Sequence, residues 1–382
     1  MKIAFYYHLD VAFHNGDIYI PSLLGVFIND LSSRVEEFIL LAHTMKYDQK
    51  VHDFKLNSER IRLFDLGRKN NFAERLLFGC PKLNNVSKVI DCDLLLVRAP
   101  TPLAPSLFKY FHHKCPITFL LVGDYSTIPF SRYSSRHILL SFYEYRMNHH
   151  ILPKVNVLVN SRALYEKYKK ITKDIYEVRT TTITEKDFYY REDTCQTNVI
   201  RLLYVGRYDW QKGFAELFEA VAKLKQTINI KLHMVGWDDS ANQNIRKEME
   251  ERIDAMGISD CVILEGKKSL GSELNSMYRM SDIFVLPSYS EGMPRCIWEA
   301  MANGIPVVST MVGGIPYNIE NRREALLVEP HSSEVIVSAI QQLVIDEDLR
   351  KCLIRNGYFK AKQATLNACN SKIVEILNRI VK

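Results

Sequence analysis

Short apolar runs alternate with helical stretches through almost the whole chain, and the alternation starts afresh near residue 200. Strand and helix in strict succession bury both faces of each strand only when the strands form a parallel sheet wrapped by helices. The runs KIAFYY, EFILLAH, DLLLVRA, ITFLLVG and VNVLVN read as buried strands in the first half. IRLLYVG, KLHMVG, VILEG, IFVLPS and PVVST read the same way in the second. Between them, FAELFEAVAKLKQ places Phe214, Leu217, Phe218, Val221 and Leu224 at three- and four-residue steps, the spacing of one helix face. A chain of 382 residues also exceeds what one ordinary core serves, so two domains are expected. The polar stretch REDTCQTN marks the boundary, giving residues 1–195 and 196–365. The closing NACNSKIVEILNRIVK, about 366–382, is an amphipathic helix with a choice of either domain to pack on.

Charge and cysteine usage narrow the function classes. The net charge of +6 arises entirely before residue 196, the remainder being balanced, and a basic bias on one domain suits an acidic partner or a solvated face. No dense Lys/Arg run or RNA-binding motif supports nucleic acid. The aromatic and basic stretch SRYSSRHILLSFYEYRMNHHILPKV instead suits an anionic membrane surface, or packing on its own domain. No apolar run approaches the roughly 20 residues that span a bilayer, and MKIAFYYHLD lacks the form of a signal peptide, so the expected place is the cytosol, with peripheral membrane contact. The eight cysteines show no CxxC and no histidine at zinc-ligand spacing, which argues against a zinc site or a disulfide framework.

Two constellations carry chemistry. In LLYVGRYDWQKGF a strand ends at Gly206, and Arg207 and Lys212 flank a tight loop before a helix; parallel sheets bind ligands beyond the carboxyl ends of their strands. Arg offers phosphate a planar fork and Lys a point charge. In VLPSYSEGMPRCIWEAMANGIPVVST, the loop carries Glu291 and Gly292, Pro294 suits a first helical turn where its missing N–H costs nothing, and the free backbone N–H groups around it, those of Met293, Arg295 and Cys296, mark an anion-binding helix start. Glu299 lies about one turn further. Two carboxylates at this spacing serve as a hydrolase pair, a metal seat, a clamp on sugar hydroxyls, or a helix start; their positions favour different parts of one elongated ligand.

GRYDWQKG, PSYSEGMPRCIWEAMANGIPVVST and the following GGIP together resemble the donor-binding half of retaining GT-B glycosyltransferases of the GT4 group, over roughly residues 200–330 and including an E-x7-E pair. The resemblance implies a GT-B fold: two Rossmann-like, doubly wound α/β domains facing a central cleft, with the C-terminal helix crossing back to the N-terminal domain. It implies a nucleotide-diphosphate sugar as donor in the C-terminal domain. A saccharide or lipid-linked acceptor belongs to the N-terminal domain, and cell-surface polysaccharide or glycolipid synthesis is the expected setting. Arg207, Lys212 and Glu291 are then the catalytic candidates, with Gly206, Gly236, Gly292, Met293, Pro294, Arg295, Cys296 and Glu299 on the donor. Gly16, Arg98 and Asp124 are candidates for the acceptor side. No metal and no separate cofactor are expected; the DxD at Asp91 and Asp93 opens a strand at the end away from the expected cleft.

The chain departs from the family pattern in three places. Tyr317 stands where relatives often carry glutamate after GGIP, Gly123 and Asp124 stand where many carry histidine, and the early glycine pair is reduced to Gly16. These departures keep open a nucleotide-sugar-binding subunit without activity. A GT-B-like nucleotide-sugar epimerase and a glycoside hydrolase are further alternatives. No GxGxxG follows the first strand of either half, which disfavours a nicotinamide dehydrogenase.

Overall fold

The computed structural model describes residues 1–49, 51–56, 59–123, 135–238 and 244–382. The chain divides into two units, Met1–Thr182 with Leu366–Lys382, and Ile183–Thr365. The first holds β1 (Lys2–Tyr6), β2 (Val11–His14), β3 (Asp17–Ile20), β4 (Glu37–Ala42), β5 (Thr44–Met45), β6 (Phe54–Lys55), β7 (Ile61–Asp65), β8 (Leu94–Ala99), β9 (Ile117–Leu121), β10 (Asn156–Val159) and β11 (Asp174–Glu177). The second holds β12 (Ile200–Val205), β13 (Ile230–Val235), β14 (Val262–Gly266), β15 (Ile283–Leu286), β16 (Val307–Thr310) and β17 (Leu326–Val328).

Each unit is built on a parallel sheet. The orders are β11-β10-β9-β8-β1-β4-β7 and β14-β13-β12-β15-β16-β17. In both, the chain winds outward in one direction from the first strand and then returns to wind the other way. The reversal falls between β1 and β8 in the first sheet and between β12 and β15 in the second, and such switch points are where open parallel sheets leave room for a ligand beyond the strand ends. The central strands are buried on both faces, which is why they read as unbroken apolar runs: Phe5, Leu40, Leu96 and Val157 in one unit, and Leu203, Met234, Phe284 and Val308 in the other, are all essentially inaccessible. Phe214, Leu217, Phe218, Val221 and Leu224 of helix Phe214–Leu224 enter the second core as their spacing predicts.

Helix Leu366–Val381 belongs to the first unit, where it packs on helix Ser22–Ser33. Asn370 Nδ2 donates to Asp30 Oδ2 at 2.8 Å, and Arg34 reaches Asn367 and Ser371 at 2.9 and 2.8 Å. Asp93 and Asp91 sit at the amino ends of the strands: Asp93 Oδ2 accepts the Lys2 amide at 2.7 Å and Asp91 Oδ2 the Lys2 ammonium at 3.2 Å. Their place is therefore a strand start. Among the described residues no helix is long and apolar enough to cross a membrane, and no group of three or more His, Cys, Asp or Glu is placed to hold a metal ion.

The unit boundary falls earlier than the polar stretch suggests, because residues 183–195 are tied to the second unit. Arg191 donates to the carbonyls of Arg279 and Ser281 at 3.0 and 2.9 Å, and Asp193 makes a two-pronged ion pair with Arg350, both contacts at 2.8 Å. The side chains of this pair are 9% and 5% exposed, and Arg350 also donates to the carbonyls of Leu343 and Val344. Burial alone would raise the Asp193 carboxyl, but the Arg350 hydrogen bond and the Thr194 amide outweigh it and hold the group below the usual carboxylate range. A depressed carboxyl stabilises the fold above the unfolded value of about 3.9 and loses that contribution as pH falls below it. Asp193→Asn strands a buried guanidinium, so urea unfolding of this unit is expected to show a loss of about 3–5 kcal/mol at neutral pH that shrinks as the solution is acidified. An unchanged midpoint would contradict the pair's role.

Candidate functional site

The second switch point gathers most of the sequence candidates. Past the end of β12, Gly206 is followed by exposed Arg207, and the Tyr204 hydroxyl donates to the Arg207 carbonyl at 2.9 Å, fixing the start of the loop. Asp209 caps the short turn Trp210–Lys212, its carboxylate accepting from the Gln211 amide at 3.0 Å. Past the end of β15, the loop 287–292 runs alongside, joined by the Tyr289 amide to the Gln211 carbonyl at 2.9 Å. Across the two loops, Lys212 Nζ contacts Glu291 Oε1 at 2.6 Å, with side chains 18% and 10% exposed. Ser288 Oγ donates to the same Glu291 oxygen at 2.7 Å.

Three glycines make this approach possible. Gly213 adopts φ of 74°, and a Cβ there would lie 2.1 Å from the Pro287 carbonyl oxygen. Gly313 adopts φ of 54°, and its Cβ would lie 1.6 Å from the Glu291 carbonyl oxygen, while the Gly314 amide donates to the Gly292 carbonyl at 2.8 Å. Gly236 is buried against the Gly206 carbonyl, 2.1 Å from where its Cβ would be, so it shapes the site through Gly206. Gly292, by contrast, is exposed with open space around it.

Helix Arg295–Ala302 starts beside this pair, with Pro294 as its N-cap and not in its first turn, because its ψ of 132° is extended. Ile297 is the first residue to donate back along the chain, to the Pro294 carbonyl at 3.3 Å; the amides of Arg295 and Cys296 precede it at the positive end of the helix. Burial foremost, then the carboxylates of Glu291 and Glu299, push the Cys296 thiol up, opposed by Lys212 and Arg295. The charges of Glu291, Glu299, Lys212 and Arg295 are thus all felt at Cys296, in the helix's first turn. Glu299 is 8% exposed and its Oε2 accepts the Tyr278 hydroxyl at 2.8 Å. Met293 packs partly on the core. Tyr317, in helix Ile315–Asn318, is 64% exposed.

The remaining candidates lie in the first unit. Gly16, with φ of 84°, follows Asn15 at 51° in the two-residue turn joining β2 and β3, and that hairpin accounts for the glycine. Arg98 is at the carboxyl end of β8, its Nη1 3.1 Å from each ring nitrogen of His8. Gly123 follows β9, and Asp124 falls outside the described residues. The sequence reading did not single out Gly213, Gly313, Ser288 or Tyr278. The positive φ of the glycines follows from the tight loops, but their neighbours are distant in sequence, and Tyr278 reads as an ordinary core aromatic.

Residues 188–360 match the family described as glycosyl transferases group 1. This stretch is a group 1 glycosyl transferase domain. The chain is 33% identical over 150 residues to the D-inositol 3-phosphate glycosyltransferase of Corynebacterium jeikeium, covering 38% of this chain and 36% of that one. A longer match, 29% over 221 residues, is to a putative teichuronic acid biosynthesis glycosyltransferase, TuaC, of Bacillus subtilis, covering 56% and 52%. The chain spans between about a third and a half of the length of the curated relatives it matches. The whole chain shares its fold with sucrose-phosphate synthase of Thermosynechococcus elongatus, at TM-score 0.73, 18% identity and coverage of 99% and 98%. Anabaena Alr3699/HepE, solved in complex with UDP, aligns at 0.73, 17% identity, 99% and 100%. The fold is that of the GT-B glycosyltransferases.

Gly213→Ala tests the close approach of the two loops. The strained φ and the contact with Pro287 are expected to cost about 1–3 kcal/mol in urea unfolding. Gly257→Ala, which also has positive φ but nothing within 4 Å, serves as a control for strain alone and should cost less.

Proposed function

We propose that the chain is a retaining glycosyltransferase that moves a sugar from a nucleotide-diphosphate sugar to a saccharide or lipid-linked saccharide acceptor. The observation that carries this reading is the Lys212–Glu291 pair held between the loops of β12 and β15, beside the amides that open helix Arg295–Ala302. A cation and a carboxylate of low exposure sit where a parallel sheet seats its ligand, next to a helix start suited to phosphate. The group 1 domain match and the UDP complex of a protein with this fold support the same reading.

In this reading Arg207, Lys212 and the Arg295 and Cys296 amides hold the diphosphate. As the anomeric carbon–oxygen bond breaks, its electron pair goes to the departing phosphate oxygen, and these groups stabilise the charge that develops there. Glu291 is released from Lys212 to accept hydrogen bonds from sugar hydroxyls, with Ser288 fixing its other contact. Glu299, oriented by Tyr278, accepts from the ribose hydroxyls, two neighbouring donors that suit one carboxylate. The acceptor oxygen forms the new bond to the anomeric carbon and its proton leaves with the phosphate. Retention of configuration and a reaction needing no metal follow from the GT4 resemblance and from this supply of fixed positive charge. Arg98 and Gly123 belong to the acceptor's unit. A non-catalytic subunit would bind nucleotide and stop there; an epimerase would consume donor without an acceptor.

Assays with a panel of nucleotide sugars and saccharide acceptors test the reading. Arg207→Ala and Lys212→Ala are each expected to lower kcat by about two to four powers of ten at saturating donor, and Glu299→Ala to weaken nucleotide affinity more than kcat. Full activity in both cation variants would sink the assignment.

A further inference from the structure

The other switch point, between β1 and β8, has its own cluster of charged and polar groups. Tyr6 is the last residue of β1 and pairs with Val97 in register, so the residues just beyond, Tyr7 and His8, lie beside Arg98 of β8. The Arg98 guanidinium meets the His8 ring, and burial first, then Arg98, Lys69 and Arg75, bring that imidazole down to about 3. His8 is therefore neutral near pH 7 and accepts from the guanidinium. The carboxyl ends of β4 and β7 adjoin on the other side: the Val11 amide bonds the His43 carbonyl at 2.9 Å, and His43 Nδ1 lies 3.0 Å from the Gly67 carbonyl oxygen. Lys69, just past this point, pairs with Asp10 at 3.3 Å, and Arg75 of helix Phe72–Phe78 is 9% exposed. Arg98 thus contacts His8, and the charges of Lys69 and Arg75 reach it, with Asp10 paired to Lys69.

Two further features separate this arrangement from an ion network built only to stabilise the fold. Asp10 Oδ1, the Tyr7 hydroxyl and His43 Nε2 are buried with no hydrogen-bond partner. Buried polar atoms are nearly always partnered, so these three, with the Tyr6 hydroxyl also unpartnered at the end of β1, are positions whose hydrogen bonding a water or a ligand hydroxyl completes. Their chemistry is also mixed: the carboxylate and an imidazole nitrogen accept hydroxyl protons, the phenol donates, and the guanidinium groups offer forked contacts to paired oxygens.

We propose that this cluster binds an acidic saccharide: Arg98, Arg75 and Lys69 hold a phosphate or carboxylate group of the acceptor, while Asp10, Tyr7 and His43 meet its hydroxyls. The proposal takes from the proposed function only the word acceptor. Binding of an oxyanion at this strand edge stands on the first unit's own residues.

Calorimetry on the full chain tests it, with inorganic phosphate as the smallest probe, glucose 6-phosphate and glucuronate as the two acidic sugars, and glucose as the neutral one. Affinity for the acidic probes is expected to fall about 10- to 100-fold in Arg98→Gln, the size of one lost hydrogen bond to a charged group, and to be unaltered in Arg207→Ala. Whichever acidic sugar binds more tightly names the anion. Lys69→Gln, at a half-buried position, gives the same comparison if Arg98→Gln fails to fold by circular dichroism. Affinity that ignores both first-unit substitutions, or that disappears with Arg207→Ala, overturns the proposal. A chain that binds acidic sugars through Arg98 and yet turns over no nucleotide sugar keeps this site and loses the transferase reading.

Discussion

A parallel sheet delivers every strand's carboxyl end to the same edge, and reversing the winding direction pulls two neighbouring loops apart there. Everything assigned to the second unit depends on that reversal at β12. The chain leaves β12 toward β13 and β14 and comes back to β15 on the other side, so the loops 206–213 and 287–292 flank one gap. Lys212 and Glu291, far apart in sequence, are brought to 2.6 Å by this topology alone. The close fit then demands residues without a Cβ at Gly213 and Gly313, each opposite a backbone carbonyl.

The pairing of Lys212 with Glu291 also explains how the site tolerates its charges before a ligand arrives. A poorly exposed ammonium or carboxylate alone is costly, whereas each here satisfies the other, with Ser288 on the shared oxygen. In the proposed mechanism the exchange of partners is nearly balanced: diphosphate replaces carboxylate on Lys212, and sugar hydroxyls replace ammonium on Glu291. Such a swap spends little on desolvation and leaves the positive charge where the leaving group needs it.

The central strands of both sheets were legible because they are buried on both faces and so appear as continuous apolar runs. Of the edge strands, β14 was read as VILEG, while β7, β11 and β17 were not legible. β7 has no fully buried residue, Arg62 and Asp65 being exposed and the other three partly covered, and β17 has only three residues, Leu326–Val328. The small sheet β5-β2-β3-β6 escaped notice because two of its strands are two residues long and its hairpin turns on Asn15 and Gly16. Site residues on the two loops could be read from their place after strands. Their contacts could not: nothing local in SELNSMYRM shows that Tyr278 bonds Glu299, and nothing in REDTC shows that Asp193 reaches Arg350. Local patterns carry periodicity and turn chemistry, while pairings across the sheet arise only from topology.

The claim at the centre of this account is that Lys212 changes partner when the nucleotide binds. A crystal structure of the full chain with a bound nucleoside diphosphate tests it most directly. The account predicts diphosphate oxygens within about 3 Å of Lys212 Nζ, with Glu291 detached from it and turned toward the sugar position. A nucleotide bound elsewhere, or one bound here with the Lys212–Glu291 contact intact, would contradict it.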